Sequence, residues 1–246
     1  MNWDRGYEKA AHLYDMFDRK KNIEFFLHYG LEAGEILDVG AGTGRIAIPL
    51  AEKGVKLFCV EPSPAMRREF EKKLVQRPDL AHKIEIAPDD AAHFDFHRSF
   101  RAAFLSGSFD HLLDDEERLR SLSKIGRHLT PGGRLIFDVS LEPMVDCPLC
   151  PAGAVSRGNK EYRRFVGGRV LPDGKKEVIL LFETWTSGTL VKEVEERSVI
   201  GVIKKKEVHH LLKEAGFKVE REFSDYDFTV FRNGDSLLIV DASKRK

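Results

Sequence analysis

No hydrophobic run in this chain of 246 residues approaches the roughly 18 needed to cross a bilayer. The amino terminus also lacks the apolar core of a secretory signal, because Asp4, Arg5, Glu8 and Lys9 come so early; the sequence reads as cytoplasmic. An excess of either charge is missing too. Lys and Arg number 40, Asp and Glu 40, and this balance argues against a polyanionic partner such as RNA, which normally leaves a basic surplus or stripe. The short basic runs at 204–206 and 244–246 read as a helix approach and a solvated tail. Cysteine is scarce, at three. Cys59 reads as a small buried apolar side chain within a strand. Cys147-Pro148-Leu149-Cys150 has the spacing of a metal knuckle, but no second pair supplies the four ligands of a structural zinc site. It reads as a loop with no metal expected; a redox pair, a metal shared by two copies, or a catalytic metal are the alternatives.

Two nucleotide signatures are absent. A dinucleotide fingerprint G-x-G-x-x-G from Gly40 would need glycine at position 45, where Arg45 stands. Nor is any glycine of this segment followed by the Lys and Ser or Thr of a phosphate loop. What is present, Ile36-Leu37-Asp38-Val39-Gly40-Ala41-Gly42-Thr43-Gly44, is still built for a ligand. Ile36, Leu37 and Val39 make the short apolar run of a strand covered on both faces. The glycines remove side chains where the backbone turns tightly, and the helix that follows would aim free N–H groups at whatever binds. A crevice at the carboxyl end of a parallel strand is expected.

The pattern continues downstream. Residues 55–60 read as a second strand ending at Glu61, whose carboxylate can accept hydrogen bonds from both hydroxyls of a ribose. Residues 84–91 read as a third strand with an acidic turn, Asp89-Asp90-Ala91, and 101–106 as a fourth strand. An amphipathic helix over 114–129 carries Leu119, Leu122, Ile125 and Leu129 at spacings of three and four. Pro131 ends it, and Gly132 and Gly133 permit reversal into a fifth strand over 134–140. Taken in order, D-x-G-x-G-x-G from Asp38, Val60-Glu61-Pro62, the acidic turn and Thr130-Pro131-Gly132-Gly133 resemble the motifs of the class I S-adenosylmethionine-dependent methyltransferases. The resemblance covers residues 36–140 and implies S-adenosyl-L-methionine as cofactor. It would be held by Asp38, Gly40, Ala41, Gly42 and Gly44, by Glu61 and Pro62 at the ribose, by the Asp89-Asp90-Ala91 turn at the adenine, and by Ser106. Family members commonly have glycine where Asp89 stands, so which aspartate takes the adenine amino group stays open. The implied fold is α/β: a doubly wound, Rossmann-like, mostly parallel seven-stranded sheet.

Beyond residue 140 the pattern changes. Residues 162–170, 178–187 and 190–202 read as strands joined by turns at Pro172-Asp173-Gly174 and Ser187-Gly188-Thr189, an antiparallel insertion of about 40 residues. A helix over 206–215 stopped by Gly216, and strands over 217–222 and 236–242, then complete the main sheet. The expected organisation is a helical cap over 1–35, a cofactor domain over 36–141 and 204–246, and an insertion over 142–203. The insertion would roof the acceptor pocket or meet a second copy in a homodimer. The cap sets Tyr7, Ala11, Tyr14, Phe17, Phe25 and Phe26 at helical spacings, and the resemblance brings Tyr14-Asp15 over bound cofactor.

A sulfonium methyl is already activated, so its transfer asks for an in-line nucleophile, exclusion of water and a route for a proton. In the family resembled, the turn after the fourth strand meets the acceptor; here it reads Ser106-Gly107-Ser108-Phe109-Asp110-His111. His111 is the candidate general base or acceptor-orienting group, since imidazole titrates near working pH. His93, Asp110, Tyr162, Tyr226 and Asp227 are secondary candidates from segments bordering the same mouth. The expected function is methyl transfer to a nitrogen or oxygen of a small molecule, with neither membrane nor nucleic acid as partner. RNA or protein methylation, or a non-catalytic S-adenosylmethionine-binding regulator, are the alternatives. No N-P-P-Y-like tetrapeptide, the sign of an amide or base nitrogen acceptor, follows the fourth strand.

Overall fold

The computed structural model describes residues 6–17, 21–141, 143 and 145–245; Asp4, Arg5 and Lys246, used in reading the two ends, lie outside them. A short helix α1 (Ala11–Tyr14) and a 3-10 turn (Asp15–Phe17) precede α2 (Lys21–Ala33). The next elements are β1 (Glu35–Val39), α3 (Ala47–Glu52), β2 (Lys56–Val60), α4 (Pro64–Val75), α5 (Pro78–Ala81), β3 (Ile84–Ala87), β4 (Phe100–Leu105), α6 (Asp115–Arg127) and β5 (Leu129–Ser140). Four strands of the insertion follow: β6 (Cys147–Arg157), β7 (Lys160–Val170), β8 (Lys176–Thr186) and β9 (Thr189–Ile200). The chain then returns through α7 (Lys205–Glu214), β10 (Phe217–Phe223) and β11 (Leu237–Lys244).

The large sheet has the order β10-β11-β5-β4-β1-β2-β3. Strands β1 to β5 are parallel, and β11 runs antiparallel between β5 and β10. Because successive strand residues point to opposite faces, each strand feeds two cores. Leu37, Leu105 and Phe137 pack with Leu122 and Ile125 of α6 and Val208 of α7. Ile36, Phe104 and Ile136 pack on the other face with Phe26 of α2, Leu50 of α3 and Phe70 of α4, and Cys59 joins this second core. The strand order reverses beside β1, whose neighbours are β4 and β2, and the crevice opens at their carboxyl ends.

Two local readings are corrected. Cys147 to Cys150 is not a loop: it opens β6, the edge strand of an insertion sheet ordered β6-β7-β8-β9. Pro148 and Pro151 conceal this strand in the sequence, yet an edge strand needs only one row of its N–H groups, so proline is tolerated there. Bulges between Cys147 and Cys150 and between Pro151 and Gly153 absorb the remaining irregularity. Both thiols are free and exposed, and the insertion sheet spans 147–200. The second correction concerns Thr130-Pro131-Gly132-Gly133, which lies within β5. Leu129 already pairs with Phe100, a register shift follows between Phe100 and Ala102, and Gly132 has φ of +77°. Helix α6 therefore stops at Arg127.

Candidate active site

After β1 the backbone turns through φ values of +76°, +59° and +76° at Gly40, Gly42 and Gly44. This left-handed region suits glycine because it has no Cβ to clash. The N–H groups of Gly40 and Ala41 donate to the Val60 carbonyl at 2.7 and 3.1 Å, fastening the turn to the end of β2. The three glycines face different surroundings. A Cβ on Gly40 would lie 2.5 Å from Ser108 Cβ, one on Gly44 would lie 2.1 Å from Phe70 Cε2, and one on Gly42 would meet nothing within 4 Å.

Carboxylates stand around this turn. Glu61, buried at the end of β2, accepts the Gly42 N–H at 2.7 Å on Oε2 and the Ser63 N–H at 2.8 Å on Oε1. One side chain thus couples the glycine turn to the start of α4, where Ser63 accepts the Met66 N–H at 3.2 Å as N-cap. Asp90 Oδ1 accepts the Ala92 N–H at 2.8 Å and lies 2.7 Å from His93 Nδ1. Asp38 is 2% exposed, and its Oδ2 has no hydrogen-bond partner among the described residues. Burial pushes its carboxyl up to about 7; Arg45 opposes the rise and Glu61 adds to it.

The Asp38 shift makes a stability prediction. The folded value lies above the ordinary 3.8, so between about pH 4 and 7 the native state holds a proton that the unfolded chain has released, and stability falls as pH rises. Above pH 7 the cost is constant. Asp38→Asn removes the titration at nearly constant volume, and should therefore raise the unliganded melting temperature more at pH 8 than at pH 5. Thermal melts at the two pH values check this, and equal shifts would exclude titration of Asp38 as the cause.

The turn after β4 makes the facing wall. Ser108 Oγ donates to the Val39 carbonyl at 3.1 Å. Asp138 of β5 accepts from Ser106 Oγ at 3.1 Å, the Gly107 N–H at 2.6 Å and the Tyr226 hydroxyl at 2.6 Å. Burial raises the Asp138 carboxyl above its usual range, and these three donors oppose the rise. His111 Nε2 lies 2.8 Å from the Tyr7 hydroxyl, and Tyr7 meets the rings of His111 and Tyr14 edge-on at 5.6 and 5.8 Å.

The segment carrying both tyrosines is tied down on two sides. Asp15 accepts from Thr43 Oγ1 at 2.6 Å and pairs with Lys73, which also donates to the Thr43 carbonyl at 2.7 Å. Glu196 of β9 accepts the N–H groups of Lys9 and Ala10, the latter at 2.8 Å. Leu13 and Phe17 pack with Phe182 and Val194 of the insertion sheet. Residues 6–17 therefore form a strap joining the insertion to the glycine turn.

One cavity is walled by Tyr14, Asp38, Gly40, Ala41, Gly42, Glu61, Pro62, Asp90, Ala91, Ser106 and His111, together with His93. Gly44 and Asp89 are not on its wall. Gly44 packs against Phe70 instead, so steric fit to α4 accounts for its lack of a side chain. Asp110 is turned to the scaffold: its carboxylate accepts the Ser140 N–H at 3.2 Å and its carbonyl the Gly201 N–H at 2.7 Å. Tyr162 packs in the insertion core, Tyr226 lies under the sheet end against Phe25 and Phe26, and exposed Asp227 accepts from Thr229. The wall also includes Tyr7, Thr43, Arg45, Ser63, Met66, Ser108, Glu117, Arg120 and Ser121, none of them assigned to the site from sequence. Tyr7 carried a signal, standing two helical turns before Tyr14; the α6 residues carried none.

The sheet order and this cavity define a class I methyltransferase fold. Residues 36–133 match the methyltransferase domain family. An uncharacterized methyltransferase of Bacillus thuringiensis (strain Al Hakam) is 27% identical over 142 residues, covering 53% of this chain and 64% of that protein. The chain thus matches less than two thirds of the length of such relatives. Among solved structures, the CcbJ methyltransferase from Streptomyces caelestis aligns with a TM-score of 0.80 at 15% identity, covering 100% of this chain and 99% of that one. An S-adenosylmethionine-dependent methyltransferase from Clostridium acetobutylicum aligns at 0.78 and 19%, covering 98% and 99%. The sugar N-methyltransferase KedS8 from Streptoalloteichus aligns at 0.75 and 22%, covering 98% and 94%. At these identities the likeness is one of fold.

Proposed function

We propose that this chain transfers a methyl group from S-adenosylmethionine to a nitrogen or oxygen of a small-molecule acceptor. The observation that carries the proposal is one cavity with two chemically different halves. Asp38, the glycine turn, Glu61 and Asp90 present acceptors and bare backbone, while Tyr7, Tyr14 and His111 present rings and a proton-carrying pair. The first half fits the cofactor, because the buried Oδ2 of Asp38, which has no hydrogen-bond partner among the described residues, and the carboxylates of Glu61 and Asp90 on the same wall suit a ligand that brings an ammonium, ribose hydroxyls and an adenine amino group. Bound there, S-adenosylmethionine supplies an activated methyl on a sulfonium.

The protein's own part is placement. Glu61 orients the ribose, Asp38 neutralises the ammonium, and the strap over residues 6–17 keeps water from the reacting atoms. His111 Nε2, 2.8 Å from the Tyr7 hydroxyl, is placed to orient an acceptor or take its proton. For an amine that arrives neutral, orientation is enough. The kinship in fold with a sugar N-methyltransferase supports a small-molecule acceptor.

S-adenosylhomocysteine at a hundredfold excess over its Kd should stabilise the native state by about 2.7 kcal/mol and raise the melting temperature by about 5 to 10 °C. NAD and ATP should leave it in place. Equal lack of response to all three ligands, measured by thermal shift, would remove the proposal's basis.

A further inference from the structure

Helix α6 lies beside the acidic turn that follows β3. Lys124 Nζ stands 5.7 Å over the Phe94 ring, the His128 ring is 4.7 Å from it, and Asp95 pairs with Lys124 at 3.3 Å and His128 at 3.1 Å. Phe94 is itself tied back to Asp90, its N–H donating to the Asp90 carbonyl at 3.3 Å. One turn toward the amino end of α6 from Ile125 is Ser121, which is 0% exposed and on the cavity wall with Asp90, Ala91 and Ala92. Its Oγ has no hydrogen-bond partner among the described residues. A serine inside a helix ordinarily returns its hydroxyl to the carbonyl four residues back, and this one does not. A buried hydroxyl left unpaired is costly, and on a cavity wall the group that can pair with it is the ligand.

Resting on the proposed function, we infer that the Ser121 hydroxyl donates a hydrogen bond to a ring nitrogen of the cofactor's adenine. Asp90 then reads the exocyclic amino group and Ser121 the ring edge, so that α6 takes part in recognising the base.

The test is titration calorimetry with S-adenosylhomocysteine on the whole chain. Ser121→Ala should weaken binding by about fivefold, the worth of one hydrogen bond. The unliganded variant should melt no lower than the wild type, because the substitution removes a polar group that the protein alone does not satisfy. Unchanged affinity, or a lowered unliganded melting temperature, overturns the inference. The 1-deaza, 3-deaza and 7-deaza analogues of S-adenosylhomocysteine identify the nitrogen: for one of them the Ser121→Ala loss should vanish. An equal loss for all three would take the contact off the ring. If wild-type protein bound no S-adenosylhomocysteine, the proposed function itself would fail, an outcome distinct from these.

Discussion

Glu61→Ala should weaken S-adenosylhomocysteine binding about a hundredfold or more while the protein remains folded. Two charge-assisted hydrogen bonds to ribose hydroxyls, at about 1.5 to 3 kcal/mol each, supply a loss of that size. The same carboxylate also holds the Gly42 and Ser63 N–H groups at 2.7 and 2.8 Å, so its removal frees the glycine turn against which a ligand would lie. Water entering the space left by the truncated side chain can take over those two donors, and stability should fall by less than binding does. Glu61→Gln should be nearly as weak as alanine despite its shape. Its amide nitrogen cannot accept, so either the Gly42 or the Ser63 N–H must face another donor. Calorimetry on both variants decides the matter, and affinities within about threefold of wild type would mean that the ribose is not held by Glu61.

The parallel half of the fold was legible because its determinants are local. The run Ile36-Leu37-Asp38-Val39 names its own strand, and the glycines after it name their own turn. Glu61 could be placed from its position at a strand end. What escaped the sequence depends on distant pairings. The Tyr7 hydroxyl and His111 are 104 residues apart in the chain, and Tyr226 and Asp138 are 88 apart; neither pair leaves a local periodicity to detect. Tyr226 illustrates the cost, since its segment suggested the pocket mouth while its hydroxyl is committed to Asp138 and its ring to Phe25 and Phe26. Strand β6 escaped for another reason: exposed along most of its length and carrying two prolines, it has no alternating apolar face to read.

Gly44 and Gly42 looked equivalent in the sequence, and the structure separates them. Gly44→Ala should cost about 3 kcal/mol or more and lower the melting temperature by about 10 °C, adding left-handed strain to overpacking. The new Cβ would sit 2.1 Å from Phe70 Cε2, and Phe70 is 0% exposed in a packed core, so neither side chain can yield without disturbing α4. Gly42→Ala carries the strain of φ at +59° without any such collision, since its Cβ meets nothing within 4 Å. Its stability loss should therefore be about 1 kcal/mol. Gly42 is on the cavity wall, where a methyl group would intrude on the ligand, so S-adenosylhomocysteine affinity should fall well beyond that stability loss. Melting curves and calorimetry on the two variants should thus rank them in opposite orders. If both instead lose affinity with stability intact, Gly44 faces the ligand after all, and the packing of α4 against the glycine turn is not what keeps that position bare.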